Sequence, residues 1–373
     1  MELNTTSAGQ LPNTTTANPD TYAPIYALKI LEVVYLSFIT VIGTIGNLLV
    51  IFSIIYAKRV HKSGNLFIIN LAVADLIVTG FYLPTVIANV IAGGNALPNA
   101  ACQVAAYLIT VSCVCSVSNL TCIAINRYLV IVHPCWYEAH YTKRKTFLAV
   151  LLVWIWSNFL TSPTLFGWSG LGYDPKMVGC AWDDQAAISY NATFMTLAVF
   201  APLITICICY GRLYRCVRNR GRWIRSFAVS PSNVLRQAKE RRSLQKEINL
   251  LKTLATALAF FILCWMPYAF SVTFDPKGIP HKSKQIVAWF GLSNSAVNFI
   301  VYGVMNTTYR KGYKNLLRLL CCCKKPTLSR LPSVFRHYNE SRNNNEHASP
   351  HRANNSLPVG ESNSNIHQYK GVS

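Results

Sequence analysis

A single carboxylate in the middle of an apolar run is the side chain best placed to do chemistry in this chain. Asp75 stands in Leu71-Ala72-Val73-Ala74-Asp75-Leu76, where hydrocarbon surroundings make a polar group costly and demand a reason for it. Asn47, Ser116, Asn294 and Asn298 sit at mid-depth in other apolar runs and could converge on it. A carboxylate, a hydroxyl and amides form an oxygen-rich cage suited to a small hard cation such as sodium. The same groups would also serve as a hydrogen-bonded structural network around a protonated Asp75, and the spacing leaves both readings open.

A second constellation closes the third apolar run. In Asn126-Arg127-Tyr128 the long Arg127 side chain can snorkel to a membrane edge. Glu247, at the start of the sixth run, is either its ion-pair partner or part of a solvated helix face with Lys246 and Arg242. Of the 13 cysteines, Cys102 opens the third run and Cys180 lies in the loop between the fourth and fifth. On an oxidising side of the membrane these two would join and pin that loop over the mouth of a bundle. Cys113, Cys115, Cys122, Cys207, Cys209 and Cys264 lie inside runs, as small apolar packers. Cys321, Cys322 and Cys323 follow an amphipathic stretch, a context that suits reversible palmitoylation. There is no His-Glu-x-x-His pair and no pair of intramembrane aspartates. The sequence therefore points away from an enzyme, and no metal beyond sodium is implied.

The elements that must position these groups are seven apolar runs, near 28–56, 65–92, 101–132, 146–166, 187–211, 250–274 and 284–305. At about 1.5 Å per residue, a helix over each can cross a ~30 Å hydrocarbon core. Hydrocarbon offers the backbone no water, so each run should be helical. The fold expected is an all-α membrane protein, a seven-helix bundle in the plasma membrane. Pro84, Pro163, Pro202 and Pro267 each fall within or near the end of a run and permit a kink.

Charge sets the orientation. The 373 residues are 52% hydrophobic, with 35 Lys and Arg against 14 Asp and Glu, a net +21. The cations cluster between runs one and two, three and four, five and six, and after the seventh. The positive-inside rule then puts the N-terminus outside and the C-terminus in the cytoplasm. Inner-leaflet lipid accounts for this pattern, so nucleic acid is set aside as a partner. Residues 1–27 read as an unstructured outer tail with glycosylation acceptors at Asn4 and Asn13. Residues 28–320 read as the bundle plus an amphipathic helix on the inner leaflet, Tyr309 to Leu320. Residues 321–373 read as a disordered cytoplasmic tail. No internal repeat is visible and Asp75 stands nearly alone, which argues against a polytopic transporter or channel.

These residues together resemble the rhodopsin-like (class A) G-protein-coupled receptors, over roughly residues 30–320. Each run carries one signature: Gly46-Asn47; Leu71 to Asp75; Cys102 with Asn126-Arg127-Tyr128; Trp154; Pro202 with Tyr210; Cys264-Trp265-Met266-Pro267; and Asn298-Phe299-Ile300-Val301-Tyr302. The resemblance implies a receptor that passes an extracellular ligand signal to a heterotrimeric G-protein. By position, Arg127 would engage the G-protein, with Tyr210 and Tyr302 stabilising the open state. Val117, Pro202 and Phe261 would relay ligand binding past Trp265. Asp75, Ser116, Asn294 and Asn298 would form a sodium cage. Two positions depart from the pattern. Asn126 replaces the usual acidic residue before the arginine, and Phe299 replaces the usual proline. Both predict an altered resting balance.

Within the family the motifs look like those of melatonin receptors, notably Cys122 to Tyr128, Gly64-Asn65-Leu66-Phe67, Tyr173-Asp174-Pro175-Lys176 and Val301-Tyr302-Gly303. The positions that would hold melatonin's polar groups do not match: they are Thr164, Asp184 and Ala198, while Trp182 matches in kind as an aromatic. Invertebrate orphan receptors of the moody and trapped-in-endoderm type also carry Asn-Arg-Tyr, so a receptor for a lipid or another ligand is the competing reading. Ile109 stands where amine receptors carry an aspartate, and Leu292 where opsins carry the retinal lysine. A pocket around Ile109, Cys113, Thr164, Trp182, Trp265, Tyr268 and Leu292 would take a small, largely apolar ligand. Melatonin-receptor kinship implies an inhibitory G-protein, and tail serines such as Ser329, Ser333 and Ser349 would serve receptor kinases and arrestin.

Overall fold

The computed structural model describes residues 19–56, 63–183, 187–226, 234–274 and 280–321. Seven helical segments are long and apolar enough to cross a membrane: Tyr26–Tyr56, Gly64–Ala92, Asn99–Val132, Lys143–Phe166, Ile188–Arg222, Leu251–Phe274 and His281–Met305. They match the seven runs, except that the fifth continues to Arg222 and the first helix starts earlier. That helix, α1, runs Pro19–Tyr56 and so begins inside the segment expected to be an unstructured tail. The seven spans belong to one compact unit, which ends at Arg318. Asn4, Asn13, Asp184, Cys322, Cys323 and the tail serines lie outside the described residues, as does the side chain of Cys321.

The bundle has an inverted distribution of polarity. Asn47, Asn70, Asp75, Asn119 and Asn298 are buried, while Phe38, Phe52, Phe147, Phe159 and Phe270 are exposed. In water that arrangement would be costly; against acyl chains it is the favourable one.

Prolines shape two spans in the same way. Span two is α2 (Ser63–Ile77), a π turn (Val78–Tyr82) and α3 (Leu83–Ala92). Pro84 has no N–H to give, and the preceding Leu83 N–H reaches five residues back to Val78 O. After α4 (Asn99–Val132), a short helix α5 (Pro134–His140) and α6 (Lys143–Thr161), span five repeats the device. There α7 (Ile188–Met195) meets α8 (Ala201–Ser226) through a π turn at Thr196–Phe200, and the Ala201 N–H bonds Thr196 O just ahead of Pro202. Pro163 gives a tight 3-10 turn, Ser162–Phe166, that stops at Gly167 with φ 85°. Pro267 lies within α9 (Val234–Phe274). The last helices are α10 (His281–Met305) and α11 (Thr307–Cys321), the latter covering the expected amphipathic stretch.

Helix α5 and a β-hairpin are the elements the apolar pattern did not announce. Strands β1 (Leu171–Asp174) and β2 (Gly179–Trp182) pair antiparallel with Tyr173 opposite Cys180. Each strand has four residues, too few for periodicity to register.

Candidate functional site

The functional groups fall in three tiers: the end carrying Cys102, mid-depth around Asp75, and the end carrying Arg127. At the disulfide end, Cys102 and Cys180 are bonded, which ties β2 to the start of α4. Polar contacts add further ties. Tyr82 Oη donates to Cys180 O at 2.9 Å, and Trp289 Nε1 to Met177 O at 3.0 Å. Lys284, 1% exposed on its side chain, pairs with Asp174 at 2.7 Å. Asp174 also accepts from the Lys176 backbone N–H, and burial raises the Tyr173 phenol beside it. The hairpin is thus held to spans two, three and seven.

Beneath it lies an apolar cavity. Ile109, Cys113, Trp182, Tyr268 and Leu292 line it, as expected, with Trp265, Val117 and Phe261 deeper in. Met177 from the hairpin and Ala198 from the span-five π turn are among the other lining residues. Thr164 does not line it. Its place in the turn after Pro163 sends its hydroxyl back to Thr161 O at 2.8 Å. The Trp265 ring lies against Gly291, where a Cβ would come within 3.0 Å of it.

At mid-depth, Asp75 is fully buried. Its oxygens accept from Asn298 Nδ2 at 2.8 Å and Ser116 Oγ at 3.3 Å, and the Ser295 side chain bonds it too. Asn294 is buried and its Oδ1 has no hydrogen-bond partner. Asn47 differs from expectation: its amide donates to Gly43 O and Ser295 O, bracing span one on span seven rather than bonding Asp75. A separate lock was not foreseen. Trp154 Nε1 donates to Asn70 Oδ1 at 2.7 Å, and Asn70 Nδ2 to Asn119 Oδ1 at 2.8 Å, joining spans four, two and three. Asn70 and Asn119 could have been found as buried-run amides, but neither falls in a motif used above.

At the arginine end, Asn126 is 1% exposed and donates to Tyr137 Oη of α5 at 3.1 Å. Tyr141 lies beside Asn126 as well, and burial raises its phenol above the usual range while Asn126 partly offsets this. Arg127 Nε is buried without a partner, and a side chain at Gly64 would collide with its guanidinium. Tyr128 Oη meets His133 Nε2 at 3.2 Å. Tyr302 Oη is buried and unpartnered, and its ring packs near Tyr309 at 5.5 Å. Tyr210 packs on the same core cluster. Phe299 fills the notch left by Gly46, where any Cβ would overlap the ring. The Glu247 side chain lies outside the described residues. Among the described residues no cluster of His, Cys, Asp or Glu could hold a metal ion.

A bundle of seven apolar helices, with a capped cavity at one end and an arginine at the other, has the architecture of a seven-helix membrane receptor. Squid rhodopsin superposes with a TM-score of 0.71 over 87% of this chain and 93% of its own, at 22% identity. The 7 transmembrane receptor (rhodopsin family) pattern matches residues 46–302. Melatonin receptor type 1C of Xenopus laevis is 32% identical over 77% of the chain and 67% of that receptor. Melatonin receptor type 1A of Mus musculus is 31% identical over 78% and 80%. The chain belongs to the rhodopsin-like family of G-protein-coupled receptors and is similar to its melatonin receptors. It is accordingly a multi-pass plasma-membrane protein that signals through a G-protein and is not an enzyme.

Proposed function

We propose that this receptor binds a small, uncharged, largely apolar ligand under the hairpin and activates an inhibitory G-protein at the arginine end. The observation that carries this is the cavity, whose lining holds no Asp, Glu, Lys or Arg. In this reading the disulfide end faces outward, because a disulfide needs an oxidising side and the basic residues gather at the other end. Ligand contact with Trp265 biases a two-state bundle, and Val117, Pro202 and Phe261 pass the shift on. The open state frees Arg127 for the G-protein, with Tyr302 Oη and Tyr210 closing behind it.

Sodium fits the mid-depth tier. Asp75, Ser116, Ser295 and Asn298 supply oxygens, and the orphaned Asn294 Oδ1 is one more with nothing else to bind. A bound ion would neutralise Asp75 and favour the resting bundle. Glycosylation at Asn4 and Asn13, palmitoylation at Cys321, Cys322 and Cys323, and tail phosphorylation with arrestin binding complete the proposal.

Two observations favour a ligand other than melatonin. Ala198 offers the cavity no polar group, and Thr164 is turned out of it. Cellular cyclic AMP, with and without melatonin and beside an Arg127→Ala control, tests the reading. A melatonin-dependent fall lost in the control marks a melatonin-type receptor. An Arg127-dependent basal fall alone marks a receptor of this class for another ligand. Cyclic AMP indifferent to Arg127 rejects inhibitory coupling.

A further inference from the structure

Charge does not account for where Arg127 rests. Its Nε is buried without a partner, and among the described residues no ion pair reaches its guanidinium. Asn126 beside it is neutral and gives its amide to Tyr137 Oη. The guanidinium lies against the first turn of α2, which holds no acidic residue. A helix start carries free N–H groups and a partial positive charge, so it repels a cation.

Shape does account for it. A Cβ at Gly64, the second residue of α2, would stand 2.5 Å from Arg127 Nη2 and 3.2 Å from its Cζ. Unbonded heavy atoms settle near 3.5–4.0 Å, so the guanidinium occupies space that a side chain at position 64 would need. Backbone conformation gives no other reason for a glycine there. The glycines with positive φ are Gly93 and Gly167, and a helical glycine is otherwise a loss relative to alanine. The atom nearest the notch is the free end of a long side chain. A methyl group at position 64 would therefore move the arginine and leave the helices in place.

We propose that Gly64 is a positioning residue for signalling: its missing side chain is a notch that parks Arg127 in the resting receptor. The inference rests on Arg127 being the G-protein contact. The notch favours only the parked pose, so filling it shifts the population toward the state that presents Arg127. Resting Arg127 is thus held by fit, at a position remote from the ligand cavity.

The test measures basal nucleotide exchange by purified full-length receptor in detergent, without ligand. Heterotrimers of the inhibitory, stimulatory and phospholipase-coupled classes are each supplied. Gly64→Ala should raise exchange about two- to fivefold on the heterotrimer that responds to the unaltered receptor. Its melting temperature should stay within about 2 °C, since no helix has to move. Gly64→Ser fills the same space and should act alike, which keeps the test open if one variant does not fold. Added to Arg127→Ala, either change should do nothing further. Exchange that Arg127→Ala lowers but Gly64→Ala and Gly64→Ser leave unchanged overturns the notch and keeps Arg127 as the contact. A rise that persists in the Arg127→Ala background places the effect elsewhere and also overturns it. Exchange indifferent to Arg127→Ala on every heterotrimer overturns the contact and the notch together.

Discussion

The two ends of the bundle treat their polar groups differently. At the disulfide end, Cys180 and Met177 carbonyls are taken by Tyr82 and Trp289, and the buried Lys284 has Asp174. At the arginine end, Arg127 Nε and Tyr302 Oη are buried with nothing to bond. Engaged groups favour one arrangement; orphaned ones gain from leaving it. The cap is held by more such ties than the opposite mouth, although Trp182 Nε1, Asn191 Oδ1 and Gln285 Nε2 are left unpartnered at that end too.

The comparison breaks first at the disulfide. Cys102→Ser releases the hairpin and should cost about 2–5 kcal/mol, seen as a lower melting temperature, together with loss of ligand response. If the cap melted no earlier, its polar ties alone would suffice. A smaller effect is expected at the Gly46 notch. Gly46→Ala drives a methyl into the Phe299 ring and should destabilise by about 1–3 kcal/mol. Phe299→Ala in the same chain should return most of that, and a double-mutant cycle in melting temperature reads the coupling. The smallest effect is at Asn126. A carboxylate there would sit beside the guanidinium, and Asn126→Asp should lower basal signalling about two- to fivefold. Unchanged basal cyclic AMP would mean that Tyr137 and Tyr141, not the missing charge, set the resting state.

Much of the fold was legible because hydrocarbon imposes a simple rule: long apolar runs become helices, and the rare polar residues in them turn inward. Asp75, Ser116 and Asn298 meet for that reason. The hairpin was not legible, since its eight strand residues lie in a polar loop whose shape depends on partners from three spans. Asn47 went astray because sequence depth cannot distinguish an amide facing Asp75 from one facing a carbonyl a turn away. Thr164 did so because the proline before it tightens the turn and redirects its hydroxyl.

The π turns carry one more consequence. Each residue of an α-helix advances the side chain by about 100°, so one extra residue in a turn rotates everything beyond it by that angle. In span five the turn at Thr196–Phe200 divides Phe194 and Met195, which face the cavity, from Ile206 and Cys209, which face the arginine-end core. A single heptad-like stripe drawn down this span would misplace one set or the other. The span is a helix written in two registers, and the offset of one residue lets it present one face to the ligand and a different one to the core below.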